Sequence, residues 1–356
     1  MSNLGNLTVV STRFLAVLAL ATVLGWFGFG YRWRRGRRRW PAALVATLLS
    51  LVLVGDGVNS YFSYLPNVSD VVDAVVSSPP RSLPTTINQQ PASAVSAPRH
   101  GKLFRLQVPD NGSGFGQSQA WVWLPPQYFE PGAGRLPVLY LFHGSPGMPK
   151  DWFHGGSAGR IAQAMAQRNQ PVIVVAPQMS KGWLDDPECV DGIHEKVESH
   201  LMIDVIPTVD RRLRTLTDRT GRIFAGMSAG GYCALNLGLR HRDQVATVLD
   251  LSGLTEPTHA GGLPALFGRQ HLTAAASNSP DQYARSLAGG PPMRIWLDSG
   301  SSDRQVSRQM DAIAPVLRAD GMVVIRRDRP GDHTYSVWRP ALRDSLTWAL
   351  TGLPTA

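Results

Sequence analysis

Ala225-Gly226-Met227-Ser228-Ala229-Gly230-Gly231 is the stretch on which the reading of this 356-residue chain turns. It has the form Gly-x-Ser-x-Gly. Arg222-Ile223-Phe224 before it is a short apolar run suited to a buried strand, and Tyr232 to Leu239 after it suits a helix. Strand, tight turn and helix in that order are the context a nucleophile elbow requires. Small residues flank the serine because the turn is strained and the backbone packs closely there. Its hydroxyl then projects beside a helix N-terminus, whose amides can face a developing oxyanion. The pattern alone is common, so the reading rests on the parts that follow it in order.

A serine hydroxyl is a poor nucleophile at neutral pH. It needs an imidazole to take its proton and a carboxylate to hold that imidazole in one tautomer. Met293 to Asp298 reads as a strand, followed by the polar turn Ser299-Gly300-Ser301-Ser302-Asp303. Met322 to Ile325 reads as the next strand, and Pro330-Gly331-Asp332-His333-Thr334-Tyr335 as a loop before a last helix. Of the nine histidines, only His333 lies beyond that strand. Asp303, a few residues past its strand, is the preferred carboxylate. Asp298 is the second choice, at the strand end, where it can instead cap the turn. Asp332, adjacent to the histidine, is a weak third.

Pro137 to Phe142 is a buried strand that runs into His143-Gly144-Ser145-Pro146-Gly147. The backbone N–H groups of Ser145 and Ala229 are the candidate oxyanion donors, and His143 is expected to hold the loop. Strand-like runs at 101–106 and 120–124 suggest an antiparallel start. Those at 171–176, 222–227, 245–251, 293–297 and 322–326 suggest a parallel sheet, with helical runs at 161–167, 197–214 and 305–317 between them. The alternation predicts an α/β fold with a mostly parallel central sheet.

From about residue 100 to the end the chain resembles the esterase family of α/β-hydrolases that includes esterase D, feruloyl esterases and bacterial mycolyltransferases. The resemblance is carried by Trp121 to Pro126, Leu136 to Gly144, Asp218-Arg219, Ala225 to Tyr232, Leu251-Ser252-Gly253, Gly300 to Asp303 and Gly331 to Trp338. It implies a Ser228–His333–Asp303 triad, with oxyanion amides at Ser145 and Ala229. The segment 254–290, rich in Gly, Ala and Ser, departs from the family pattern, so substrate identity does not carry over.

Ahead of that domain lies a different chemistry. Residues 14–31 carry no charge, and a second apolar run from Trp40 to Val54 continues past Asp56 to Tyr64. Between them stand Arg32, Arg34, Arg35, Arg37, Arg38 and Arg39. Two transmembrane helices joined by an arginine-rich cytoplasmic loop, 32–39, satisfy the positive-inside rule and place both flanks outside. A cleaved signal peptide carries its charge before the apolar core, and only Arg13 does so here. The expected organisation is an anchor over 1–66, an extended Pro/Ser-rich linker over 67–98 and the catalytic domain over 99–356. Ala92-Ser93-Ala94 in the linker resembles a processing site.

The formal net charge is +9, and six of the positive charges sit in the short arginine loop. That argues against a nucleic-acid partner and for contact with membrane lipids. The two cysteines, Cys189 and Cys233, are expected to pair in the oxidising compartment this topology implies. No metal-ligand spacing and no nucleotide-type glycine loop is present in the sequence, so no cofactor is expected. The function that follows is a membrane-anchored serine esterase acting on an ester, such as a lipid or an acylated glycan, outside the cytoplasmic membrane. An acyltransferase or a non-catalytic envelope module is the alternative.

Overall fold

Residues 222–227, all buried, run through the interior of a nine-stranded sheet. This computed structural model describes residues 7–36, 40–76, 78–88, 98–287 and 289–353. The strands are β1 (Arg81–Ser82), β2 (Lys102–Val108), β3 (Ser118–Leu124), β4 (Val138–Phe142), β5 (Ile173–Pro177), β6 (Arg222–Met227), β7 (Thr247–Leu251), β8 (Arg294–Gly300) and β9 (Val323–Arg329). Their order is β1-β2-β3-β5-β4-β6-β7-β8-β9. β3 is antiparallel to both β2 and β5, and every pair from β5 through β9 is parallel. The antiparallel start and parallel body match the sequence pattern.

Parallel strands covered on both faces read as unbroken apolar runs. β4 and β5 are buried at every residue. Alternate residues of β4, Val138, Tyr140 and Phe142, share one core cluster with Ile173, Val175 and Phe224. Phe224 meets Tyr140 and Phe142 edge to face, with ring centroids 5.7 and 5.2 Å apart. Val209, Leu235, Ile313 and Leu317 close the cluster from the helices.

The chain divides into two compact units, one of Met1–Ser78 with Thr334–Ser336, the other of Pro79–His333 with Val337–Ala356. In the first, α1 (Thr12–Arg34) and α2 (Trp40–Phe62) are each 23 residues and apolar enough to cross a membrane or to act as a signal sequence. They pack as a pair: the Trp26 indole donates to Ser50 Oγ at 3.0 Å. Most of their large apolar side chains, Phe27 and Leu51 among them, are exposed. Arg32 and Arg34 lie in the last turn of α1; Arg37, Arg38 and Arg39 of the expected loop lie outside the described residues.

The stretch expected to be an extended linker contains structure. Val68–Val76 forms α3, because Val68, Val71, Val72, Val75 and Val76 recur at helical spacing. β1 pairs in parallel with β2, and Leu83 and Ile87 are buried in the core of the second unit. All five prolines of 67–98 lie from Pro79 onward, so the valine-rich segment before them is free to be helical. Ala92-Ser93-Ala94 lies outside the described residues.

In the second unit α4 (Ala158–Gln167) follows β4. α5 (Val197–Ser199) leads through a π-helical turn into α6 (Ile206–Arg212), and α7 (Ala229–Arg240) follows β6. The Gly/Ala/Ser-rich segment folds into three short helices, α8 (Leu263–Phe267), α9 (His271–Ser277) and α10 (Pro280–Tyr283). It is tied to α7 by buried polar contacts. Tyr232 donates to the Asn278 carbonyl at 2.7 Å, and Tyr283 to Asn236 Oδ1 at 2.8 Å. α11 (Arg304–Ala319) links β8 to β9, and α12 (Tyr335–Thr351) ends the domain.

Cys189 and Cys233 form a disulfide, closing a loop of sequence separation 44. It fastens the loop 185–191 to the helix that follows Ser228. Constraining the unfolded chain by such a loop is worth roughly 2–4 kcal/mol. At ~2–4 °C per kcal/mol for a domain of this size, exhaustive reduction should lower the melting temperature of the catalytic unit by roughly 4–16 °C. A scan with and without reductant measures this; a Cys189→Ala/Cys233→Ala variant should melt at the lower value under both conditions.

Candidate active site

Ser228 stands between β6 and α7 with φ 56° and ψ −126°, a backbone that L-residues rarely adopt. Glycines make the turn feasible. A Cβ on Gly226 would overlap the Gly230 carbonyl, and one on Gly230 would overlap the carbonyl oxygen of Phe142 at the end of β4. The turn is therefore packed against β4, and Gly144 lies on the serine: a Cβ there would sit 3.3 Å from Ser228 Cβ. The Ser228 carbonyl accepts from the Gly231 and Tyr232 amides at 2.8 and 3.1 Å, so the serine caps α7.

His333 reaches Ser228 from the loop after β9. Its Nε2 lies 2.8 Å from Ser228 Oγ, and its Nδ1 lies 2.6 Å from Asp303 Oδ2. The Trp338 ring stands edge-on to the imidazole at 5.0 Å. Asp303 is the residue preceding α11, and its side chain is 12 % exposed while that of His333 is 38 % exposed. Hydroxyl, imidazole and carboxylate form one continuous relay, with the imidazole accessible and the carboxylate sheltered.

The other two carboxylates are engaged elsewhere. β8 runs on through Gly300, so Asp298 lies within the strand, fully buried. Arg329 Nε donates to both its oxygens at 2.8 and 2.9 Å, and the Trp296 indole donates at 2.9 Å. Asp332 accepts from the His333 backbone amide at 2.9 Å. His143 is buried. It donates from Nδ1 to the Gly144 carbonyl at 2.8 Å and accepts at Nε2 from the Met179 amide at 3.4 Å. Burial lowers its pKa and keeps it neutral.

Ser228, Asp303 and His333 line a cavity of about 230 Å³ together with Ser145 and Ala229. Ala229 is the first residue of α7, where backbone N–H groups have no intrahelical acceptor. Among the described residues no group of three or more His, Cys, Asp or Glu is placed to hold a metal ion.

Three features escaped the sequence. Asp250 on β7 lies behind the elbow, fully buried. Its Oδ1 accepts from the Gly253 amide at 2.7 Å, and burial pushes its pKa up to about 7. Asp186 and Glu188 also line the Ser228 cavity, from the loop that the disulfide fastens. Ser118, His200 and Asp204 repeat the relay geometry, with contacts of 3.0 and 2.8 Å, but His200 and Asp204 are wholly buried and Ser118 sits within β3. Burial lowers the His200 pKa, and the set works as a core network. No short sequence signal marks any of these, because their partners come from separate elements.

A strained serine on a β6–α7 turn at the carboxyl end of a central strand of a mostly parallel sheet defines the α/β serine-hydrolase class. The chain belongs to the Putative esterase family, whose model matches residues 116–349, and is a carboxylic ester hydrolase. An uncharacterized protein of Corynebacterium glutamicum is 27 % identical over 358 residues, covering 96 % of this chain and 81 % of its own. An acetyl esterase of Caldicellulosiruptor saccharolyticus is 23 % identical over 60 % of this chain and 83 % of its own. Among solved structures, a ferulic acid esterase superposes with a TM-score of 0.61 at 22 % identity, covering 71 % of this chain and 98 % of its own.

The two buried-side carboxylates predict opposite phenotypes. Asp303→Asn leaves the imidazole in the wrong tautomer and without its charged partner, and should lower kcat on the order of 10³–10⁴-fold with little change in melting temperature. Asp298→Asn disrupts a buried, bidentate ion pair, and should lower the melting temperature by several degrees while the folded fraction keeps most of its activity. Steady-state kinetics with parallel melting curves distinguish them.

Proposed function

We propose that this chain is a membrane-anchored serine esterase whose nucleophile is Ser228. The observation that carries the reading is the continuous Ser228–His333–Asp303 relay opening on a cavity. Ser228 Oγ attacks the ester carbonyl while His333 Nε2 takes its proton. Asp303 holds Nδ1–H and stabilises the imidazolium. The oxyanion of the tetrahedral intermediate is met by the backbone N–H groups of Ser145 and Ala229. His333 then returns the proton to the departing alcohol, leaving an acyl group on Ser228. A water, deprotonated by the same imidazole, attacks that acyl group; as the bond to Ser228 Oγ breaks, His333 returns the proton to Oγ and the carboxylic acid is released. The substrate is an ester that reaches a membrane-held enzyme, such as a lipid ester or an acylated glycan.

The same reading places α1 and α2 across the cytoplasmic membrane. Arg32 and Arg34 stand in the last turn of α1, Arg35 follows it, and Arg37 to Arg39 precede α2. The positive-inside rule puts that turn in the cytoplasm and the catalytic unit outside. The Cys189–Cys233 disulfide supports the oxidising side independently.

Two measurements test this. The full-length chain in detergent should hydrolyse a short-chain aryl ester and react with a fluorophosphonate, and Ser228→Ala should abolish both; a variant that labels and turns over normally would transfer the role to another residue. For topology, a cysteine at Gly36 should be shielded from an impermeant thiol reagent in intact cells, whereas a reporter that works only outside the cytoplasm should be active when fused after Ala356. A freely labelled Gly36→Cys would reverse the orientation.

A further inference from the structure

One wall of the Ser228 cavity is acidic, and the ester-cleaving relay does not use it. Asp186 and Glu188 lie there with Ser145, Ala229 and His333. Glu188 is 4 % exposed and accepts from Thr258 Oγ1 at 2.8 Å. Among the described residues no lysine or arginine pairs with either carboxylate; the basic group that acts on Asp186 is His259. Burial raises the pKa of both, and the charge of Asp186 raises that of Glu188 further. Two neighbouring carboxyls without a cation are an unfavourable arrangement in a partly desolvated site.

Two polar atoms there lack hydrogen-bond partners. Asp186 Oδ1 is buried with no hydrogen bond, and so is Ser252 Oγ, on a residue 1 % exposed that lines the same cavity. Unsatisfied buried acceptors are rare in folded proteins and call for a ligand or water. The backbone is also held in an uncommon state: Glu188 has φ 53°, Cys189 φ 51° and Ser252 φ 63°. Left-handed conformations at non-glycine residues persist where the surroundings enforce them, and they concentrate at ligand sites. Here the disulfide from Cys189 to α7 fixes the acidic loop to the helix that carries the nucleophile.

We propose that Asp186 and Glu188 form a subsite for an ammonium group carried by the substrate ester close to its scissile carbonyl, with Ser252 Oγ as a further acceptor. The proposal rests on Ser228 being the nucleophile. An ammonium group has three donors and one positive charge. It would neutralise the carboxylate pair and make charge-assisted hydrogen bonds that a neutral group cannot. An isosteric methyl group would leave the same acceptors buried and unpaired, which is the situation in which polar sites discriminate strongly. At about 230 Å³ the cavity is smaller than the ~300–1,000 Å³ of sites for drug-sized ligands, so it encloses only the part of the ester around the carbonyl.

The ammonium group can belong to the acyl or the alcohol portion, and paired esters separate the two. Alanine ethyl ester against ethyl isobutyrate exchanges ammonium for methyl on the acyl side. 2-Aminoethyl acetate against propyl acetate does so on the alcohol side. The full-length protein in detergent, at slightly acid pH, should show a kcat/KM ratio of about tenfold or more in favour of the cation in one pair. Asp186→Asn and Glu188→Gln should each reduce that ratio at least severalfold. Fluorophosphonate labelling of each variant reports whether its site is folded, and Asp186→Asn, the less buried change, decides if Glu188→Gln is not. Ratios near one in both pairs, with Ser228 still labelled, overturn the subsite and leave the esterase reading intact. A cation preference that persists in both folded variants also overturns it. Failure to label, with no turnover of any of the four esters, removes the Ser228 reading and this inference with it.

Discussion

The arrangement of the catalytic unit depends on one strained residue. Ser228 holds a backbone conformation costing on the order of 1–3 kcal/mol for a non-glycine residue, and it is held there from three sides. β6 and β7 fix its entry: the Ser228 amide donates to the Leu251 carbonyl at 3.0 Å. α7 fixes its exit through the Gly231 and Tyr232 amides. β4 and its loop press on it through Phe142 and Gly144. No single contact would maintain the turn, but the sheet order sets β4 and β7 on either side of β6 and supplies all of them together.

The same constraint organises the chemistry. Because the turn stands at the carboxyl end of β6, residues that follow neighbouring strands reach it through short loops. The loop after β4 brings Ser145, the loop after β8 brings Asp303, and the loop after β9 brings His333. Ligand sites in open α/β sheets gather at this end for that reason. The buried Ser118–His200–Asp204 set makes the contrast. It has comparable distances, but it has neither a strained turn nor access to a cavity, so it serves the core.

The Cys189–Cys233 bond extends the rigid region beyond the sheet. Of the four carboxylates on the loop 185–191, Asp186 and Glu188 line the Ser228 cavity. Fastened to α7, the loop keeps both on the wall of the cavity that Ser228 lines. The α8–α10 segment is held to the same helix through Tyr232, Asn236 and Asn278. α7 is therefore the shared support for Ser228, the acidic wall and the α8–α10 segment.

What the sequence determined by itself was what depends on local order and periodicity. The β–turn–α context of Ser228, the apolar strand runs and the late position of His333 are properties of neighbouring residues, and they place the fold class and the family. The apolar, uncharged runs before and after the arginines are likewise local, and they yielded two helices of spanning length. Other features needed the folded chain. Asp303 and Asp298 differ by five positions, and only the extension of β8 to Gly300 showed that Asp298 faces Arg329 and Trp296 while Asp303 meets His333. Val68–Val76 lies before the first proline of the stretch expected to be a linker, and the burial of Leu83 and Ile87 accompanies the pairing of β1 with β2, a contact distant in the chain. The convergence of Asp186, Glu188 and Ser252 on Ser228 joins loops far apart in the chain, and side-chain proximity of that kind is decided by tertiary packing, not by any pattern a linear reading contains.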